Sequence, residues 1–166
     1  MKQSLEEKIK SVREDETTVE MLRIVSLSCV LVTAYAVGYL LVSLLAKAPW
    51  EALKIALLLL VPLLFISLVR RLVKAPRPFE LYDIEPPKGR HAKGRSFPSR
   101  HAHAAFAVAS VMIFYQPVFG ALLFAVGLFA AIARVWLGLH FPRDVIAGAL
   151  TGTVSSLLGM LIFFIL

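Results

Sequence analysis

The run AHAAFAVASVMIFYQPVFGALLFAVGLFAAIA, from Ala102 to Ala133, carries no Asp, Glu, Lys or Arg. A bilayer's hydrocarbon core is about 30 Å thick and takes roughly 20 helical residues to cross, so the run is too long for one span. Tyr115-Gln116-Pro117 is where a turn divides it. The spacing predicts two spans, from about Pro98 to Tyr115 and from about Val118 to Trp136. Working outward, Val145 to Leu166 is again free of charge. Upstream lie Ile24 to Ala46 and Ala52 to about Val73, with Pro62 as a kink in the latter. Pro49 and Trp50 separate them at a level where aromatic rings gather at the membrane interface. The expected fold is therefore all-α, an integral membrane helical bundle of about five transmembrane helices.

Composition agrees. The 166 residues are 58% hydrophobic and 17% charged, against about 45–50% and 25% in soluble domains, which excludes one ordinary soluble domain. Cys29 is the single cysteine, so a disulfide scaffold is excluded, and in its apolar run it reads as a small buried hydrophobe. The net charge of +7 in a soluble chain would suggest nucleic acid. Here the cations sit beside apolar spans, where lipid phosphates are the partners expected, and no nucleic-acid partner is expected.

Residues 1–21 differ from the rest. Lys2, Lys8, Lys10 and Arg13 alternate with Glu6, Glu7, Glu14, Asp15, Glu16 and Glu20, and Leu5, Ile9 and Val12 recur at helical spacing. An amphipathic helix on the membrane surface is expected here, followed by a membrane domain over residues 22–166. The acids argue against a secretory signal peptide.

From Arg70 to His101 the chain is polar. Half of the eighteen Lys and Arg residues fall in it, opposed only by Glu80, Asp83 and Glu85, and Pro76, Pro78, Pro86, Pro87, Gly89 and Gly94 argue for a loop. Ionisable residues at the ends of membrane helices are costly and are functional candidates. Arg70, Arg77, His101, Arg134, His140 and Asp144 are such residues. Because successive span ends alternate sides, the end of the second span, the start of the third, the end of the fourth and the start of the fifth lie on one face. The six residues can therefore converge.

Three arginines and two histidines with one carboxylate suit a multiply charged anion, since guanidinium forks match phosphate oxygens. Pro98 and Ser99 open a helix whose first amides favour phosphate, and Ser99 adds a hydroxyl. His140 and Asp144 are four apart around Pro142, so the carboxylate can fix the imidazole tautomer and leave an outward lone pair. His101 is the candidate proton donor to a leaving group.

With these residues in hand, the chain resembles the type 2 phosphatidic acid phosphatase (PAP2) superfamily of integral membrane lipid phosphatases. That family's signatures, K-x6-R-P, P-S-G-H and S-R-x5-H-x3-D, are matched by Arg70, Arg77 and Pro78, by Pro98, Ser99 and His101, and by Arg134, His140 and Asp144. The resemblance implies that His140 attacks phosphorus to form a phosphohistidine, that Asp144 holds His140, and that His101 protonates the departing group. Arg70, Arg77, Arg134 and Ser99 would hold the phosphate oxygens. No cofactor and no metal is implied.

Three positions depart from the pattern. Arg70 replaces lysine, Ala133 replaces serine, and Arg100 replaces glycine, adding a cation for a second phosphate of the substrate. The expected function is hydrolysis of a lipid phosphomonoester or diphosphate, of polyprenyl, phosphatidic acid, phosphatidylglycerophosphate or lipid A type. The alternative is a non-catalytic lipid-phosphate binding or transport protein, which has less need of both His101 and His140. His103 is read as structural, and Lys74, Lys88, Lys93 and Arg95 as lipid headgroup contacts; His91 has no motif behind it. Only Lys47 and Lys54 lie on the face opposite the site, so the positive-inside rule places the site on the cytoplasmic side of a cell membrane, expected to be bacterial. Oligomeric state is left open.

Overall fold

A computed structural model describes residues 2–85 and 94–164. Lys88, Lys93 and His91 lie outside the described residues. The helices are α1 (Lys2–Glu14), α2 (Glu16–Leu45), α3 (Pro49–Val73), α4 (Pro78–Leu81), α5 (Arg100–Tyr115), α6 (Pro117–Trp136) and α7 (Pro142–Phe164). The all-helical bundle expected from hydropathy is the observed architecture. Among the described residues four segments, Glu16–Leu45, Pro49–Leu81, Pro117–Trp136 and Pro142–Phe163, are long and apolar enough to cross a membrane.

Helix boundaries follow local chemistry. Asp15 caps α2 by accepting the Thr17 N–H at 3.1 Å, so the helix starts before the apolar stretch at Ile24. Pro49, Pro78, Pro117 and Pro142 each take the first position of a helix, where a missing N–H costs nothing. α3 runs unbroken through Pro62. The turn at Gln116 lets α5 and α6 fold back on each other, with the Gln116 N–H donating to Met112 at 2.7 Å.

α5 has 16 residues, about 24 Å of helix, and is the central element, packed by α2, α3, α6 and α7. Its buried face is mostly small: Ala102, Ala105, Ala107 and Ala109. α7 answers with Gly148 and Gly152. A Cβ at Gly148 would collide with the Ser99 carbonyl oxygen, and one at Gly152 with that of His103. The two backbones therefore touch, as small residues four apart allow inside membranes. The outward faces carry Leu27, Leu31, Val42, Leu64, Phe65, Leu150 and Val154, all exposed, which is the surface a lipid environment covers.

α1 lies against the loop that follows α6. Ile9 is fully buried, with its Cγ2 3.3 Å from where a Gly138 Cβ would stand, and the Arg13 guanidinium donates to the Glu85 carbonyl at 2.7 Å.

The α5–α7 contact sets a testable limit. Gly152→Val is expected to lower the thermal unfolding midpoint in detergent, at a cost of about 1–3 kcal/mol for overpacking. Gly38→Val, where no atom lies within 4 Å of the added Cβ, is expected to leave it unchanged. Equal midpoints for the two variants contradict the packing.

Candidate active site

Arg70, Arg77, Ser99, Arg100, His101, Arg134, His140 and Asp144 lie at one end of the bundle, where α3 and α6 end and α5 and α7 begin. The α6–α7 connection is built by its backbone. Gly138, at φ +70°, turns the chain; its N–H reaches Val135 at 2.9 Å, and its carbonyl accepts the Phe79 N–H at 3.2 Å. Phe141 then precedes Pro142, and the Asp144 Oδ2 reaches back to accept the Phe141 N–H at 2.9 Å, half of a capping box. The loop thus holds His140 beside Asp144, and both side chains are buried.

Between these two side chains the Nδ1 to Oδ2 distance is 3.8 Å, longer than a hydrogen bond. Ser96, fully buried, stands between them. Its Oγ donates to Asp144 Oδ2 and lies 3.4 Å from His140 Nδ1. Ser96 was not among the expected site residues. Its signal was a second hydroxyl flanking Phe97-Pro98 in the basic loop, and a hydroxyl so placed is indistinguishable in sequence from a solvated loop serine.

Ser99 is fully buried at the start of α5. Its Oγ accepts the Ala102 N–H at 3.4 Å, and its own N–H donates to the Asp144 carbonyl at 2.9 Å. The hydroxyl hydrogen stays available for an anion oxygen. Arg100, the first residue of α5, is exposed.

Arg70 is buried at the end of α3. Its Nη1 donates to the carbonyls of Ser96, at 3.1 Å, and Pro98, and its Nη2 to that of Arg95. Most of this guanidinium holds the loop, which leaves one Nη2 hydrogen and the Nε–H for an anion. Arg77 is buried, with its guanidinium carbon 5.8 Å from the Phe79 ring centre. Its backbone N–H donates to Glu80 at 2.9 Å, and the same carboxylate accepts the Gly94 N–H at 2.9 Å, tying both ends of the loop.

His101 and Arg134 line one cavity of about 340 Å³ with Glu20, Arg23 and Ser26. His101 also lines a second cavity, of about 520 Å³, walled by α2, α3 and α5 through residues such as Val30, Val37, Leu60, Leu63 and Val108. Val30 and His101 belong to both. His103 is buried and turned to α7, its Nδ1 3.2 Å from Thr151 Oγ1. Lys74 and Arg95 are exposed. Among the described residues no group of three or more His, Cys, Asp or Glu side chains is placed to hold a metal.

Burial pushes the His140 imidazole down to about 4, and the Arg77 and Arg70 charges act in the same direction against the pull of Asp144. A lowered value keeps the ring neutral, with a lone pair, through the physiological range.

The family model of the PAP2 superfamily matches residues 25–165. The undecaprenyl-diphosphatase BcrC of Bacillus subtilis is 36% identical over 88 residues, 53% of this chain and 44% of that protein. A lipid A 1-phosphatase of Rhizobium johnstonii is 32% identical over 104 residues, 60% of this chain and 43% of that one. The chain thus spans under half the length of these curated relatives. Among solved structures, Aquifex aeolicus LpxE superposes with a TM-score of 0.71 at 23% identity over 93% of both chains. A PAP2-type phosphatidylglycerolphosphate phosphatase from Bacillus subtilis gives 0.67 at 18% identity, over 95% of this chain and 83% of that one.

Histidine NMR of the protein in detergent micelles tests the electrostatics. The His140 ring, identified by its loss in His140→Gln, is expected to stay neutral as pH falls through 6.5 and to protonate near pH 4. A midpoint at or above 6.5 contradicts the buried, cation-flanked environment.

Proposed function

The chain belongs to the PAP2 superfamily, and from that membership we propose that it is an integral membrane lipid phosphatase. It hydrolyses a lipid phosphomonoester or diphosphate through a phosphohistidine. One observation carries the lipid half of this reading. The cavity that His101 and Arg134 line with Glu20 and Arg23 adjoins the apolar cavity between α2, α3 and α5, the two sharing His101 and Val30, so a phosphate held at the first has room for a hydrocarbon tail in the second.

In the proposed reaction the His140 Nε2 lone pair attacks phosphorus while the bond from phosphorus to the leaving oxygen breaks. His101 gives that oxygen its proton. Asp144 stabilises the ring as it becomes charged. Water then attacks the phosphohistidine, with His101 taking the water's proton and phosphate leaving. Arg77, Arg134, Ser99 and the remaining donors of Arg70 neutralise the oxygens that gain charge. Arg100, exposed at the start of α5, meets a second phosphate where the substrate has one. The surface segment expected over residues 1–21 includes the first six residues of α2 (Glu16–Leu45), and residues 22–166 form the catalytic domain.

Phosphate release from a panel of polyprenyl phosphate and diphosphate, phosphatidic acid, phosphatidylglycerophosphate and lipid A, by protein in detergent, is the test. Release is expected from at least one lipid, undiminished by excess chelator and reduced about 10³-fold or more in His140→Gln, the scale for loss of a nucleophile. Full activity of His140→Gln overturns the mechanism, and no release from any lipid leaves a binding or transport protein.

The site is proposed to face the cytoplasm. Among the described residues Lys47 and Lys54 are the basic residues at the far end of the bundle, against the many on α1 and the two site loops. Lys47 and Lys74 are both exposed. With Cys29→Ala as background, a membrane-impermeant thiol reagent applied to intact cells is expected to label Lys47→Cys and not Lys74→Cys. The reverse pattern places the site outside.

A further inference from the structure

We propose that Ser96 is a positioning residue whose hydroxyl carries the hold of Asp144 on His140. The inference rests on His140 being the nucleophile. Nδ1 and Oδ2 are 3.8 Å apart, too far for a direct bond, while Ser96 Oγ touches both groups. A hydroxyl has one hydrogen and two lone pairs. Here the hydrogen goes to Asp144 Oδ2, because an ionised carboxylate only accepts. Toward His140 the same oxygen therefore accepts, which requires the hydrogen of the neutral ring to sit on Nδ1. Nε2 is then the bare nitrogen, the one a nucleophile needs.

Ser96 is itself held on both sides. Its N–H donates to the Ala75 carbonyl at 2.9 Å, and its carbonyl accepts Arg70 Nη1 at 3.1 Å. It is 0% exposed, so water does not compete for the hydroxyl. Arg70, at the first signature, thus acts on His140, at the third, through a serine that belongs to neither.

The full chain in detergent decides this. Ser96→Ala keeps both backbone bonds and removes only the hydroxyl. The expected result is a fall in kcat of about 10–100-fold, the scale for loss of a group that orients a reactive histidine, with KM within twofold. Added to Asp144→Asn, it is expected to cause no further loss beyond twofold, because both changes break one chain. Histidine NMR is expected to show His140 as the single Nδ1–H tautomer in the unaltered protein and as a mixture in Ser96→Ala. Unchanged kcat, a full additional loss in the Asp144→Asn background, or an identical tautomer in both proteins overturns the proposal. If no lipid is hydrolysed, the phosphatase reading fails, and the tautomer measurement still decides Ser96.

Discussion

Where α5 and α7 begin side by side, the Ser99 N–H donates to the Asp144 carbonyl at 2.9 Å. Just below, Gly148 and Gly152 leave no room for a side chain between the two helices. That backbone contact joins the second and third signatures with no flexible side chain intervening. It fixes the start of α5, where Ser99 and His101 stand, against the start of α7, where Asp144 lies beside His140. Misplacement by about 1 Å is costly in a catalytic site, and backbone contact is the stiffest link available.

A cluster of buried cations needs compensation when no anion is bound. The structure supplies it unevenly. Arg70 gives three of its five guanidinium N–H groups to loop carbonyls, which makes a charge at a helix end a clamp on the basic loop. Glu80 accepts the backbone N–H groups of Arg77 and Gly94, which ties the two sides of that loop together. The histidine loop borrows stability from further away, because Ile9 of α1 closes over Gly138. An amphipathic segment distant in sequence therefore supports the loop that carries the proposed nucleophile.

Much of this is legible in the residues alone. Hydrophobic run length reports spans because desolvating charge in hydrocarbon is expensive wherever the helix ends up. The alternation of span ends then puts six polar residues on one face, and three arginines and two histidines with one carboxylate suit a multiply charged anion. The Gly148 and Gly152 pair is also visible in sequence, as small residues four apart, although only the neighbour α5 shows that the spacing is used. First helical turns starting at proline follow from chemistry within a few residues.

What tertiary structure decided is which donor meets which acceptor. Arg70 reads in sequence as a phosphate ligand, yet its guanidinium lies among carbonyls of a loop some 25 residues later. Asp144 reads as the direct partner of His140, yet Ser96 stands between them. Ile9 reads as a lipid-facing residue, yet it is buried in protein. The division has one cause. Transfer from water to hydrocarbon depends on each residue's own chemistry and on its near neighbours along the chain. A hydrogen bond needs two groups within about 3 Å, and for groups far apart in sequence only the packing of helices brings them that close.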